Sequence, residues 1–170
     1  LENARQMKKW VFWLDGQISG QIGMLYYMEK KYKEALPYLE RSTARNWMAK
    51  AMEGAIRYRA KDTERMTAIF EKALKHNGKE SLLWNMYAWC LAKRGKKSEA
   101  IDVLNRAVDK LGDEARTQRN LEALQNDKKM KMQGWQQMWW QFFLEPIPKQ
   151  QLQAAQFGRP RMSKRDHRGR

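Results

Sequence analysis

Small and apolar residues return along the chain at helical spacing, in blocks of a few turns divided by short polar breaks. Ala35, Leu39 and Ser42 stand four and then three residues apart; Met66, Phe70 and Ala73 repeat those offsets, and Ala100, Leu104 and Ala107 repeat them again. Twelve residues before the first member of each triplet stand Gly23, Gly54 and Ala88, all small, 31 and then 34 residues apart. The pattern predicts helix pairs over 16–29 with 32–43, 47–60 with 63–76, and 80–94 with 97–111, joined at "EKKY", "AKDT" and "KRGKKS". A helix over 3–14 precedes them, either separate or continuous with the next. Another begins near Asp113, an N-cap following Gly112, with Leu121 and Leu124 on its inner face.

Physically this is a stack of helix–turn–helix units: a small residue on each first helix lets the second approach, and Leu39, Phe70 and Leu104 fill the space between them. The chain resembles the tetratricopeptide repeat (TPR) family. The resemblance rests on Ile22, Gly23, Tyr26, Tyr32, Ala35 and Leu39, then Gly54, Phe70 and Ala73, then Trp84, Ala88, Ala100, Leu104 and Ala107. The middle copy departs from the family pattern with Met66 at a small position and Arg57 at an aromatic one, and Pro37 falls inside a second helix. The resemblance implies an all-α, right-handed α-solenoid of about three TPR-like pairs (16–46, 47–80 and 81–114) with an N-terminal helical segment over 1–15 and a long C-terminal capping helix over 115–145. It further implies a concave groove lined by Met24, Tyr27, Met48, Met52, Tyr58, Asn85, Met86 and Trp89. Family members that grip a peptide carboxylate use cationic and amide side chains; Gly20, Met24, Met52, Leu82 and Met86 stand at those places here and cannot do so. A soft apolar lining instead suits an amphipathic helix or an extended apolar segment of a protein partner.

After the repeats the pattern changes. Trp135, Met138, Trp139, Phe142 and Phe143 follow helical offsets, predicting one aromatic stripe that ends before Pro146 and Pro148. The stripe has three readings: it folds back on the repeats, lies on a membrane surface, or docks a partner. Water alone is not a fitting neighbour for so large an apolar patch. Residues 128–170 carry ten basic and two acidic side chains, net +8 of the chain's +15, and 146–170 reads as a polar, flexible tail. Lys128, Lys129, Lys131, Arg159, Arg161, Lys164 and Arg165 are the candidates for an anionic surface: acidic lipid first, nucleic acid as the alternative.

Composition narrows the function classes. Cys90 is the single cysteine, so no internal disulfide forms, and His76 and His167 lack metal-ligand spacing. There is no phosphate-binding glycine loop or nucleophile elbow. No catalytic residue, cofactor, metal or small-molecule substrate is expected. The expected role is a non-catalytic adaptor or scaffold that binds a protein segment in the groove, in the cytoplasm or at the inner membrane surface through a segment upstream of Leu1. The alternative is an RNA-associated protein that uses the basic tail.

Overall fold

The computed structural model describes residues 2–147, and these residues are all-helical, with no strand. The helices are α1 (Glu2–Met28), α2 (Tyr32–Arg41), α3 (Trp47–Arg59), α4 (Thr63–His76), α5 (Ser81–Lys93), α6 (Lys97–Leu111), α7 (Ala115–Gln125) and a single turn, α8 (Gln137–Trp140), preceded by a 3-10 turn at Gln133–Trp135. Adjacent helices pack in the pairs α1/α2, α3/α4 and α5/α6, stacked in series as a helical solenoid, with α7 against α6 and α5.

The small residues set the distance within a pair. A Cβ placed on Gly23 would lie 2.8 Å from Leu39 Cδ2, and one on Gly54 would lie 2.7 Å from the Phe70 ring. Ala88 and Leu104, at the corresponding places of the third pair, are both fully buried. The turns repeat as well. Lys30, Lys61 and Gly95 take positive φ (60°, 62° and 77°), and each is followed by an N–H that bonds back five residues: Lys31 to Tyr26 O, Asp62 to Arg57 O, and Lys96 to Leu91 O. This is the Schellman ending, which supplies a partner to an otherwise orphaned carbonyl. The offsets are again 31 and 34 residues, so backbone and side chains repeat together.

Residues 3–14 do not form a separate helix; α1 runs unbroken through Asp15 and Gly16. Gly16 faces Thr43 at the end of the α2 turn, where its missing side chain gives the helix room to continue. The helix starting after Gly112 is capped by Glu114, not Asp113: the Glu114 carboxylate accepts from Thr117 N at 2.7 Å and Thr117 Oγ1 at 2.5 Å. Between the first two pairs lies a buried ion pair. Lys50 Nζ donates to Glu53 Oε2 at 2.8 Å and to the carbonyl of Leu39 at 2.8 Å, so one ammonium is neutralised and also closes the α2 terminus.

The largest departure from the sequence pattern lies past Gln125. The expected capping helix over 115–145 stops there, and the aromatic stripe is not one helix face. Asp127, Gln136 and Phe143 take positive φ (56°, 46° and 51°), and those three reversals divide the stretch into turns. The expected offsets therefore do not operate: Trp135, Trp139 and Phe142 are buried, Phe143 is half-buried and Met138 is exposed. Trp140, off the expected stripe, is buried instead.

Gly54→Val tests the close approach. Its branched side chain has to displace the Phe70 ring, and overpacking of this kind costs about 1–3 kcal/mol without the helix-propensity gain alanine would bring. Urea denaturation should show a lower midpoint with unchanged far-UV circular dichroism at zero denaturant; an unshifted midpoint would mean the pair has slack at Gly54.

Candidate functional site

Helices α1, α3 and α5 each contribute side chains that meet the chain's own segment 132–144. Of the expected lining residues, Tyr27, Met52, Asn85, Met86 and Trp89 are buried, while Met24, Met48 and Tyr58 are partly buried against the same core. They belong to the packed core, and Tyr27, Tyr58 and Trp89 lie in or beside the aromatic contacts that the segment 132–144 makes.

The grip has an aromatic and a polar part. Trp139 is fully buried and meets Trp89 edge-on, with ring centroids 5.2 Å apart, and Trp89 meets Tyr58 at 5.5 Å. Phe143 stacks on Tyr27 at 6.1 Å. Offset and edge arrangements of this kind add about 0.5–1.5 kcal/mol per pair beyond area burial. The polar contacts go to backbone: Tyr27 Oη donates to Phe142 O at 2.6 Å, and Arg59 Nη2 donates to Phe142 O at 3.2 Å and to Phe143 O. The Arg59 guanidinium also lies over the Tyr32 ring, 5.0 Å from its centre. Trp139 Nε1 donates to Glu145 within the segment at 3.0 Å, so its indole N–H enters the groove already satisfied.

A second polar group starts the return of the chain. Asn120 on α7 accepts from Lys131 N at 2.7 Å and donates to Asn85 Oδ1 at 2.9 Å; Asn85 in turn donates to Thr117 Oγ1 and Ser81 O, both at 2.8 Å. Trp135 Nε1 reaches Ser81 Oγ at 3.2 Å, under the Arg116 guanidinium. Asn85, expected to meet a partner, is thus fully employed by this chain.

The sequence reading missed Arg59, Asn120, Thr117 and Trp140. Asn120 had a signal: it stands 32 residues after Ala88, and Asp127, with positive φ, stands 32 after Gly95. Helix α7 therefore occupies the place of a first helix in a fourth unit, with Asn120 where the others have Gly or Ala. An amide there blocks a close second helix and holds an irregular strand of chain by its backbone. Arg59 had no such signal, since nothing in "RYRA" separates a clamp from a solvated arginine.

Lys128, Lys129 and Lys131 are exposed beside α7 and, with Arg116 and Arg119, edge a cleft of about 440 Å³ that also contains Glu122. Arg159, Arg161, Lys164 and Arg165 lie outside the described residues. Cys90 is fully buried, and its burial holds the thiol far above the ordinary range. Among the described residues no helix is long and apolar enough to cross a membrane, and no group of three His, Cys, Asp or Glu is placed to hold a metal ion.

The tetratricopeptide repeat family signature matches residues 69–102, from mid-α4 through α5 into α6. That stretch of the chain, spanning one repeat unit, supports assignment to the tetratricopeptide repeat family. Repeats of this family are generally protein-binding and non-catalytic. Nothing among the curated proteins matches the chain. The matched tetratricopeptide stretch contains Trp84, Ala88, Trp89 and Ala100, so the best-preserved repeat is also the one that supplies the bed for Trp139.

Tyr27→Phe isolates the hydroxyl contact. Removing it leaves Phe142 O to Arg59 alone and should cost about 0.5–1.5 kcal/mol, with faster hydrogen exchange across 137–144 than in wild type. Burial raises the Tyr27 pKa strongly, partly opposed by Arg59. The folded state favours the neutral hydroxyl, so this stabilisation is complete below the ordinary tyrosine value of 10.0 and is lost as the pH climbs above it. The difference in stability between wild type and Tyr27→Phe should therefore shrink at alkaline pH; a constant difference argues against the contact.

Proposed function

We propose that this chain is a non-catalytic adaptor with three repeats over 16–114, whose concave face recognises a short aromatic protein segment, and that residues 132–144 are its resident occupant. The observation that carries the reading is the mode of grip: Tyr27 and Arg59 bind main-chain carbonyls while Trp89 and the Tyr27 ring receive aromatic side chains. Carbonyl contacts tolerate many sequences and aromatic pockets select among them, which is the division of labour in peptide recognition. A partner segment of like composition competes with the resident one, and its apparent affinity is reduced by the fraction of time the face is closed.

The probe is a synthetic peptide of residues 129–147, titrated against wild type and against a Trp139→Ser, Phe142→Ser double variant. Opening the face should raise peptide affinity by about tenfold or more over wild type. A peptide carrying the same two serines should bind neither protein. Failure of the unaltered peptide to bind the double variant would refute recognition in trans.

A second reading concerns the basic cleft. Arg116, Arg119, Lys128, Lys129 and Lys131 against Glu122 favour contact with an anionic surface, and we propose acidic lipid at the inner membrane face. Phosphatidylglycerol vesicles should bind at low salt and release at high salt, with Lys128→Ala, Lys129→Ala, Lys131→Ala weakening the effect and phosphatidylcholine giving none. Retention of RNA in preference to these vesicles would transfer the cleft to the nucleic-acid alternative.

A further inference from the structure

Helix α1 is the first described helix of the stack, and one side of it is uncovered by any described residue. Val11, Leu14, Ile18, Leu25 and Met28 are 66%, 48%, 51%, 67% and 47% exposed. They are spaced by threes and fours, with Gln21 the one polar residue at that spacing, so they form a narrow seam of heptad period. Gly16, Gly20 and Gly23, which face the α2 side, lie on the opposite flank of the helix. Among the described residues the other strongly exposed large apolar side chains are Met138 and Ile147 alone.

The internal repeat shows what kind of object belongs on this seam. The offsets of 31 and 34 residues align Ile18 with Ala49 and Leu83, and Leu25 with Ile56 and Cys90. Those four are at most 8% exposed, because α3 and α5 each have a preceding pair against this flank. In α1 the same flank carries the same apolar chemistry with no described residue in front of it.

We propose that this flank of α1 pairs with the same flank of a second copy, in a two-fold helix–helix contact. The seam is its own complement: neutral, apolar over its length, and interrupted only at Gln21, where a polar residue fixes register. No other described surface of the chain offers an apolar strip to meet it. Charge points to the same place. The chain carries +15, but α1 has three basic and two acidic residues, so copies meeting here face little of that charge. The size is adequate for a reversible dimer. A helix of 27 residues is about 40 Å long. Each seam residue leaves on the order of 100 Å² exposed, roughly 1,000 Å² across a pair before flanking residues join, which is the lower edge of specific interfaces.

Sedimentation equilibrium on the whole chain tests this from low micromolar to several hundred micromolar. The mass should rise from 20.3 kDa toward twice that value for wild type. It should stay at the single-chain value for Ile18→Glu, Leu25→Glu, whose circular dichroism and melting should match wild type because both positions are exposed. Met138→Glu, exposed far from the seam, should dimerise as wild type does. A single-chain mass throughout for wild type, or an Ile18→Glu, Leu25→Glu protein that still dimerises, overturns the proposal.

Discussion

Everything in this structure depends on how closely two antiparallel helices approach when one of them lacks a side chain. Gly23 admits Leu39 and Gly54 admits Phe70 at distances that even a methyl group would violate. Because dense packing is unforgiving of a single carbon, these positions fix the pair as a rigid unit. Within each unit the same Schellman turn reverses the chain between the two helices, so the three pairs repeat in backbone as well as in side chain. The concave face is a consequence: it brings Tyr27, Met52 and Trp89, residues far apart in the chain, onto one bed.

The occupied groove follows from that bed and from the segment available to it. An apolar concave face open to water is unfavourable, and so is a run of Trp and Phe. Placing one on the other removes both liabilities without adding a hydrophobic helix. The polar contacts then decide register. Tyr27 and Arg59 read carbonyls that only a turned backbone presents, and the positive φ of Phe143 is what exposes its carbonyl beside that of Phe142. The proposed adaptor function would draw on the chemistry of this self-occupation, in which Tyr27 and Arg59 hold main-chain carbonyls.

What the sequence made legible is what periodicity encodes. Helices α2 to α6 fall within one or two residues of the expected spans. Reversals of the backbone were not legible. The left-handed turn residue is glycine at Gly95 but lysine at Lys30 and Lys61, and at Gln136 and Phe143 nothing in the residue type announces it. Trp135, Trp139 and Phe142 kept the spacing of a helix while the chain between them turned, so pattern alone placed the stripe on an element that does not form. Tertiary contacts from Asn120 and Arg59 override it; the repeat register marks the place of Asn120, but nothing in the sequence marks Arg59.

The two ends of the stack solve the same problem in opposite ways. At the C-terminal end a fourth first helix is present, but Asn120 replaces the small residue, so a second helix cannot seat. The chain is taken instead by its Lys131 amide and led back across the concave face. That end is closed by polar bonds that have no further valence to offer: Asn85, Thr117 and Asn120 bond one another and the backbone. At the N-terminal end the seam keeps the apolar chemistry of an interior helix and has no polar bonds to saturate. Among the described residues, one side of the stack is held by hydrogen bonds, whereas the other presents Ile18 and Leu25 uncovered. The asymmetry follows from what each terminal helix carries at the position its neighbours use for packing.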